Sequence, residues 1–153
     1  VDIIAVIGSE HKKFGSSFGH AAADASYYLP ARLVEVVKRI EPVTEAILQK
    51  NLKKLGEFIE ADTIDLHVLN MTAKPPIYYW EAGTMNLIRE IQEWRQSGLD
   101  VYFSIDAGPN VHVICEKKDA AEVQKRLNAN LFVKWTIYNE PCEGVEEIED
   151  HLF

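Results

Sequence analysis

The chain has 153 residues, a length that suits one domain and is too short for two sizeable ones. Hydrophobic residues make up 47% and charged residues 26%, a balance that is typical of a folded globule and excludes a disordered or low-complexity chain. The formal charge is −8, and residues 139–153 carry six acidic side chains and no Lys or Arg. The rest of the chain is therefore near neutral, which argues against nucleic-acid binding.

The sequence lacks the patterns of membrane and secreted proteins. No apolar run approaches the roughly 18 residues that a spanning helix needs. Cys115 and Cys142 form neither a disulfide framework nor a zinc-binding pattern. We therefore expect a cytoplasmic protein without a membrane segment. Because the first residue is Val1 rather than Met, we also expect a piece of a longer or processed chain.

The first half of the chain predicts one strand followed by helices. Ile3–Ile7 has the short, β-branched pattern of a buried strand, and the Gly- and Ser-rich stretch Gly8–Gly19 is typical of a loop. A long helical region follows, with a kink or a break expected just before Pro30 and a new helix expected from Pro42. The apolar positions of these two helices are expected to face the core: Leu33, Val36, Val37, Ile40, Val43, Ile47 and Leu48. A third helix is predicted from Leu52 to Met71.

The second half predicts a hairpin set between helices. Thr84 can cap a helix that ends at Gly98. The strands Val101–Ile105 and Val111–Cys115 are joined by a tight loop, and a helix over Lys117–Leu127 and a strand over Leu131–Tyr138 follow. This pattern favours an α+β fold over residues 1–138, with a small, mostly antiparallel sheet, helices packed on one face, and an acidic tail over 139–153.

Two loops have residues suited to chemistry. The segment Gly15–His20 lies between a strand and a helix, where unpaired backbone N–H groups attract anions and small residues allow close approach. It can equally be a flexible connector. Asp106 follows the predicted strand Val101–Ile105, which predicts a partly buried carboxylate on an unusual backbone path. Here the alternative is an ordinary hairpin turn.

Other polar and aromatic residues favour structural roles. His67, alone on its helix, is expected to be packed and hydrogen-bonded, and His112 is expected to point away from the face of Val111 and Val113. The aromatic segment Ile77–Trp80 can line a pocket but is more typical of a core. No spacing of ligand residues predicts a metal site, and no P-loop or dinucleotide fingerprint is present.

Four segments, in this order, resemble the C-terminal half of the diphosphomevalonate decarboxylases, which belong to the GHMP kinase superfamily. They are GSSFGH (15–20), TIDLHVLNM (63–71), KPPIYYW (74–80) and YFSIDAGPNVHVIC (102–115). The similarity extends from about Ile3 to Trp135, and IDAGPNVHV is its most specific part. The resemblance implies the ferredoxin-like C-terminal domain of a two-domain enzyme. In such an enzyme, ATP and Mg²⁺ bind mainly to the N-terminal domain.

The resemblance also implies a reaction and its residues. ATP phosphorylates the tertiary 3-hydroxyl group of 5-diphosphomevalonate, and loss of phosphate and CO₂ then gives isopentenyl diphosphate. Asp106 is implied as the catalytic carboxylate, and a homodimer is expected. The implied substrate-binding residues are Ser16, Ser17, Gly19, Ala107 and Gly108.

The segment GSSFGH (15–20) departs from the family pattern at one position. Many bacterial members have Arg directly after the key Ser, where this chain has Ser17, or Phe18 if the alignment shifts by one residue. The substrate carboxylate therefore lacks its forked cation. A decarboxylase of 5-phosphomevalonate, a superfamily kinase that does not decarboxylate, and a free-standing ligand-sensing module remain alternatives.

Overall fold

The computed structural model describes residues 1–10 and 14–144. Lys12, Lys13 and most of the predicted acidic tail lie outside these residues. The described elements are β1 (Asp2–Val6), α1 (Ser16–Ala23), α2 (Leu29–Leu48), α3 (Leu52–Thr72), α4 (Ala82–Gln96), β2 (Val101–Ser104), β3 (Val111–Cys115), a 3₁₀ turn (Lys117–Asp119), α5 (Ala120–Ala129) and β4 (Trp135–Asn139). No helix in this part of the chain is both long enough and apolar enough to cross a bilayer.

The strands form one antiparallel sheet in the order β2-β3-β1-β4. Alternate apolar side chains of β1, β2 and β3 enter one core together with the apolar faces of α4 and α5. Ile3, Leu87, Ile91 and Val123 are fully buried there. The α+β prediction, with a small antiparallel sheet and helices packed on it, is confirmed.

Helix α3 runs beside the β2 edge of the sheet. The Glu60 side chain accepts a hydrogen bond from the Phe103 backbone N–H at 3.3 Å, so a polar group of the edge strand is satisfied by α3. Glu60 also pairs with Arg95 at 2.8 Å. Gly56 packs directly against the Tyr102 ring. A larger residue would not fit, because a Cβ atom there would lie only 2.1 Å from Tyr102 Cγ. These contacts fix α3 relative to the loop that follows β2.

Helix α2 differs from its prediction in continuity and orientation. The expected break before Pro30 is present, but α2 then runs unbroken through Pro42 to Leu48, so Pro42 does not begin a helix. Most of the apolar positions expected to face inward are exposed: Leu33, Val37, Ile40, Ile47 and Leu48. Val36 and Val43 are half-buried.

The face of α2 that packs on α3 is charged. Arg32 pairs with Asp62 at 3.0 Å, and Arg39 pairs with Asp65 at 2.6 Å. Arg32, Arg39 and Ala46 are spaced by seven residues and therefore share one face of the helix, on which Ala46 is buried. Ion pairs with α3 thus accompany an orientation that leaves the apolar stripe of α2 outside.

Several element boundaries also differ from the predictions. Helix α1 begins at Ser16, so the Ser-rich segment forms its first turn and the loop is shorter than expected. Thr84 lies inside α4, where its Oγ1 accepts a hydrogen bond from the Glu81 N–H, and Glu81 is the N-cap. The last strand begins at Trp135 rather than Leu131.

Candidate active site

A cavity of about 340 Å³ lies between the start of α1, the second half of α3 and the loop after β2. Its lining residues are Ser16, Gly19, His20, Leu66, Asn70, Tyr79, Asp106 and Ala107. Four of the six predicted site residues therefore meet at one cavity, although they come from distant parts of the sequence. Ser17 and Gly108 are not among the described residues that line it.

Gly19 allows α1 to approach its neighbours closely. A Cβ atom at this position would lie 2.6 Å from Tyr79 Oη and 3.1 Å from Asn70 Oδ1. Tyr79 Oη donates a hydrogen bond to the Gly15 carbonyl oxygen at 3.3 Å, which fastens the start of α1 to the aromatic segment. These contacts hold Ser16 at the cavity. Tyr79 is thus both a buried residue and part of the cavity wall.

Asn70 brings a buried polar group to the same cavity. Its side-chain Nδ2 donates to the Leu66 carbonyl oxygen at 3.0 Å. Its Oδ1 has no hydrogen-bond partner among residues 1–10 and 14–144, although only 4% of the residue is exposed. An unpaired buried acceptor is costly, and this oxygen faces Gly19 of α1. This position could not be predicted from the sequence, because nothing distinguishes Asn70 from other polar helix positions.

The Asp106 loop is anchored at its far end. Asn110 Oδ1 accepts hydrogen bonds from the backbone N–H groups of Ile7 and Gly8, at 2.9 and 3.0 Å. Thr84 Oγ1 donates to the Pro109 carbonyl oxygen at 2.7 Å. The loop is therefore tied to both β1 and α4. Asn110 therefore bridges the Asp106 loop to the residues that follow β1.

Two expectations for this loop are wrong. The Asp106 side chain is 84% exposed rather than partly buried, because Ile105 is the last inward-facing residue and the chain then turns outward. The Gly108 N–H donates to the Asp106 carbonyl oxygen at 2.7 Å within this turn. Lys50 is the only described non-glycine residue with a positive φ, and the φ of Gly108 is not positive. The backbone of the Asp106 loop therefore needs no left-handed residue.

His67 connects α3 to the end of β2. It is 1% exposed, and its Nε2 lies 3.2 Å from the Ile105 carbonyl oxygen, directly before Asp106. Its ring packs against Trp80, with centroids 4.7 Å apart. Burial lowers the pKa of His67, with smaller opposing effects from the Ile105 hydrogen bond and from Asp106. The expected packed and hydrogen-bonded role is confirmed, and His67 positions the loop without lining the cavity.

A sequence model of the mevalonate 5-diphosphate decarboxylase C-terminal domain matches residues 2–150. The chain belongs to this family. It is 28% identical, over 127 residues, to the diphosphomevalonate decarboxylase of Candida albicans; the match covers 82% of this chain and 35% of that enzyme. The chain thus spans about a third of the length of this curated relative.

Solved structures of the family agree with the fold. Mevalonate diphosphate decarboxylase from Staphylococcus aureus is 28% identical and superposes with a TM-score of 0.83, over 89% of this chain and 41% of that one. A structure described as MDDEF in complex with MVAPP, AMPPCP and magnesium is 32% identical, with a TM-score of 0.80, over 89% of this chain and 42% of that one. The domain therefore has both the sequence and the fold of its family.

Two features of the domain concern ligands directly. Within the described ranges, no group of three His, Cys, Asp or Glu side chains is placed to hold a metal ion. The cavity also contains no Arg or Lys among its described lining residues, and His20 stands one helical turn after Ser16.

Proposed function

We propose that the domain is the substrate-side half of an ATP-dependent decarboxylase that converts 5-diphosphomevalonate to isopentenyl diphosphate, ADP, phosphate and CO₂. One observation carries the proposal. Ser16 and Gly19 of α1 line the same cavity as Asp106 and Ala107, in a chain of the mevalonate 5-diphosphate decarboxylase family. In the proposed reaction Asp106 is the catalytic residue. The proposed substrate-binding residues are Ser16, Ser17, Gly19, Ala107 and Gly108.

The proposed chemistry gives Asp106 two tasks. A tertiary alcohol is a weak nucleophile, so a carboxylate in contact with it is needed to orient it and accept its proton. The alcohol oxygen attacks the γ-phosphorus of ATP as the bond to ADP breaks. Phosphate then leaves C3 with the C–O electron pair, and the bond to the departing CO₂ supplies the pair for the new double bond. Once it has released its proton, the Asp106 carboxylate stabilises the positive charge that develops at C3.

ATP and Mg²⁺ are proposed to bind mainly to an N-terminal domain of the same protein. A related structure described as a complex with MVAPP, AMPPCP and magnesium supports this division, since this chain covers only 42% of it. The exposure of Asp106 fits it as well, since a carboxylate at the open rim of one domain can contact a substrate held against another. We expect the isolated domain to be inactive and the complete protein to be cytoplasmic.

A homodimer is also proposed, with the exposed apolar face of α2 as its contact. The residues of this face recur at spacings of four, three and seven, which match the heptad period of a helix–helix seam. They are Leu33, Val37, Ile40 and Ile47.

Steady-state kinetics test the proposed role of Asp106 in the longer protein, by which we mean this domain joined to the proposed N-terminal domain. Asp106→Asn keeps the size of the side chain and removes its charge, and we expect kcat to fall by about 100-fold or more with KM largely kept. Asp100→Asn is the matched control, because Asp100 is also exposed and lies at the other end of β2. A kcat near that of the wild type for Asp106→Asn would refute the assignment.

A further inference from the structure

His112 lies beside the proposed catalytic carboxylate. It is on β3, and its ring Nδ1 is 2.9 Å from Asp2 Oδ2 on the neighbouring strand β1. Its Nε2, on the opposite side of the ring, is 3.8 Å from Asp106 Oδ2. The three side chains line a second cavity, of about 470 Å³, and Asp106 lines this cavity as well as the one lined by Ser16.

The Asp106 carboxylate has few other means of being oriented. No hydrogen bond from any residue in 1–10 or 14–144 reaches the side-chain oxygens of Asp106. Among the Lys, Arg and His side chains of that range, His112 is the one close enough to form an ion pair with it. The side chain is 84% exposed, so packing does not restrict it. A general base must hold its oxygen within hydrogen-bond reach of one particular proton, which an unrestrained carboxylate does poorly.

Asp2 gives the His112 ring a defined orientation. With Nδ1–H donated to Asp2, the imidazole plane is fixed and Nε2 is directed toward Asp106. When both ring nitrogens carry a proton, Nε2–H can donate to Asp106 after a small movement, because 3.8 Å exceeds hydrogen-bond length by about 1 Å. The register explains the arrangement: His112 is paired with Ile4, so its side chain shares a face with those of Ile4 and Asp2.

We infer that His112, held by Asp2, is a positioning residue that fixes the Asp106 carboxylate for the alcohol of the substrate. This inference rests on the proposed function. The ring need not contact the substrate, since it acts through Asp106. Removing it should therefore lower kcat and leave substrate binding, which depends on α1 and its neighbours, nearly unchanged.

Three substitutions of His112 in the longer protein separate positioning from mere packing. His112→Gln places an amide N–H near the former Nε2 and can still donate to Asp106. His112→Asn places its amide near the former Nδ1 and can reach only Asp2, and His112→Leu reaches neither. With 5-diphosphomevalonate and ATP, we expect Leu and Asn to lower kcat by about tenfold, Gln to restore most of it, and KM to change by less than about twofold.

The controls distinguish the possible failures. Asp2→Asn, which loosens the ring without removing it, should give a smaller loss of kcat and keeps the inference testable if His112→Leu does not fold. A wild-type kcat in His112→Leu, or equal losses in the Gln, Asn and Leu variants, would overturn the inference. Asp106→Asn is measured alongside: if it is fully active, the proposed function itself fails, whereas an inactive Asp106→Asn with an active His112→Leu refutes only the role of His112.

Discussion

Substitution of Gly19 by Ala tests how closely α1 must approach the cavity wall. The added Cβ atom would lie 2.6 Å from Tyr79 Oη, well inside contact distance. Tyr79 is 7% exposed and its hydroxyl group bonds to Gly15, so the ring cannot move away without losing that hydrogen bond. Overpacking of this kind costs about 1–3 kcal/mol, and the lost hydrogen bond about 1 kcal/mol. The better helix propensity of Ala offsets about 1 kcal/mol.

We therefore expect Gly19→Ala to lower the free energy of unfolding by about 1–3 kcal/mol and to raise KM several-fold, because α1 carries Ser16 away from Asp106 as it moves. Denaturant unfolding gives the first quantity and steady-state kinetics of the longer protein the second. Gly15→Ala is the matched control, since a Cβ atom there meets nothing within 4 Å. An unchanged stability and KM in Gly19→Ala would show that the close approach does not matter.

Three further predictions concern the frame around the site. Asn110→Ala should lower the free energy of unfolding by about 2–4 kcal/mol, because two backbone N–H groups lose their acceptor, while Asn110→Asp, which keeps the acceptor, should lose less in the same denaturant assay. Because burial lowers the pKa of His67, the unfolded chain binds a proton at higher pH than the native state does; stability should fall as the pH drops below about 6.5, and His67→Gln should flatten this part of the stability–pH curve. Val37→Lys lies on the exposed face of α2 and should change stability by less than about 0.5 kcal/mol, but it should dissociate the proposed dimer in sedimentation measurements of the longer protein. A dimer that survives this change would exclude the α2 face as its contact.

The strands and the central core could be predicted from the sequence because their signal is local. β1, β2 and β3 are short β-branched or aromatic runs bounded by turn residues, and these features do not depend on distant partners. The orientation of α2 could not be predicted in the same way. The apolar stripe of α2 is regular. The face that packs, however, contains Arg32 and Arg39, and their ion-pair partners on α3 are separated from them in sequence by about the length of one helix.

The candidate site was predictable only in part. The resemblance to the family drew attention to Ser16 and Asp106, but their meeting at one cavity depends on α3, which is fastened to the sheet through Gly56 and His67. The exposure of Asp106 was not predictable, because the hydrophobicity of a strand does not say where the chain turns after it. His112 was expected to point away from the core, and its neighbours Asp2 and Asp106 follow only from the strand register.

Contact between Asp106 and the alcohol group of the substrate is the central requirement of the proposed mechanism. A crystal structure of the longer protein with 5-diphosphomevalonate and an unreactive ATP analogue measures that contact directly. We predict that one Asp106 carboxylate oxygen lies about 2.6–3.2 Å from the substrate 3-hydroxyl oxygen, with the substrate seated against Ser16. A substrate bound elsewhere, or an Asp106 side chain directed away from the 3-hydroxyl group, would contradict the proposed mechanism.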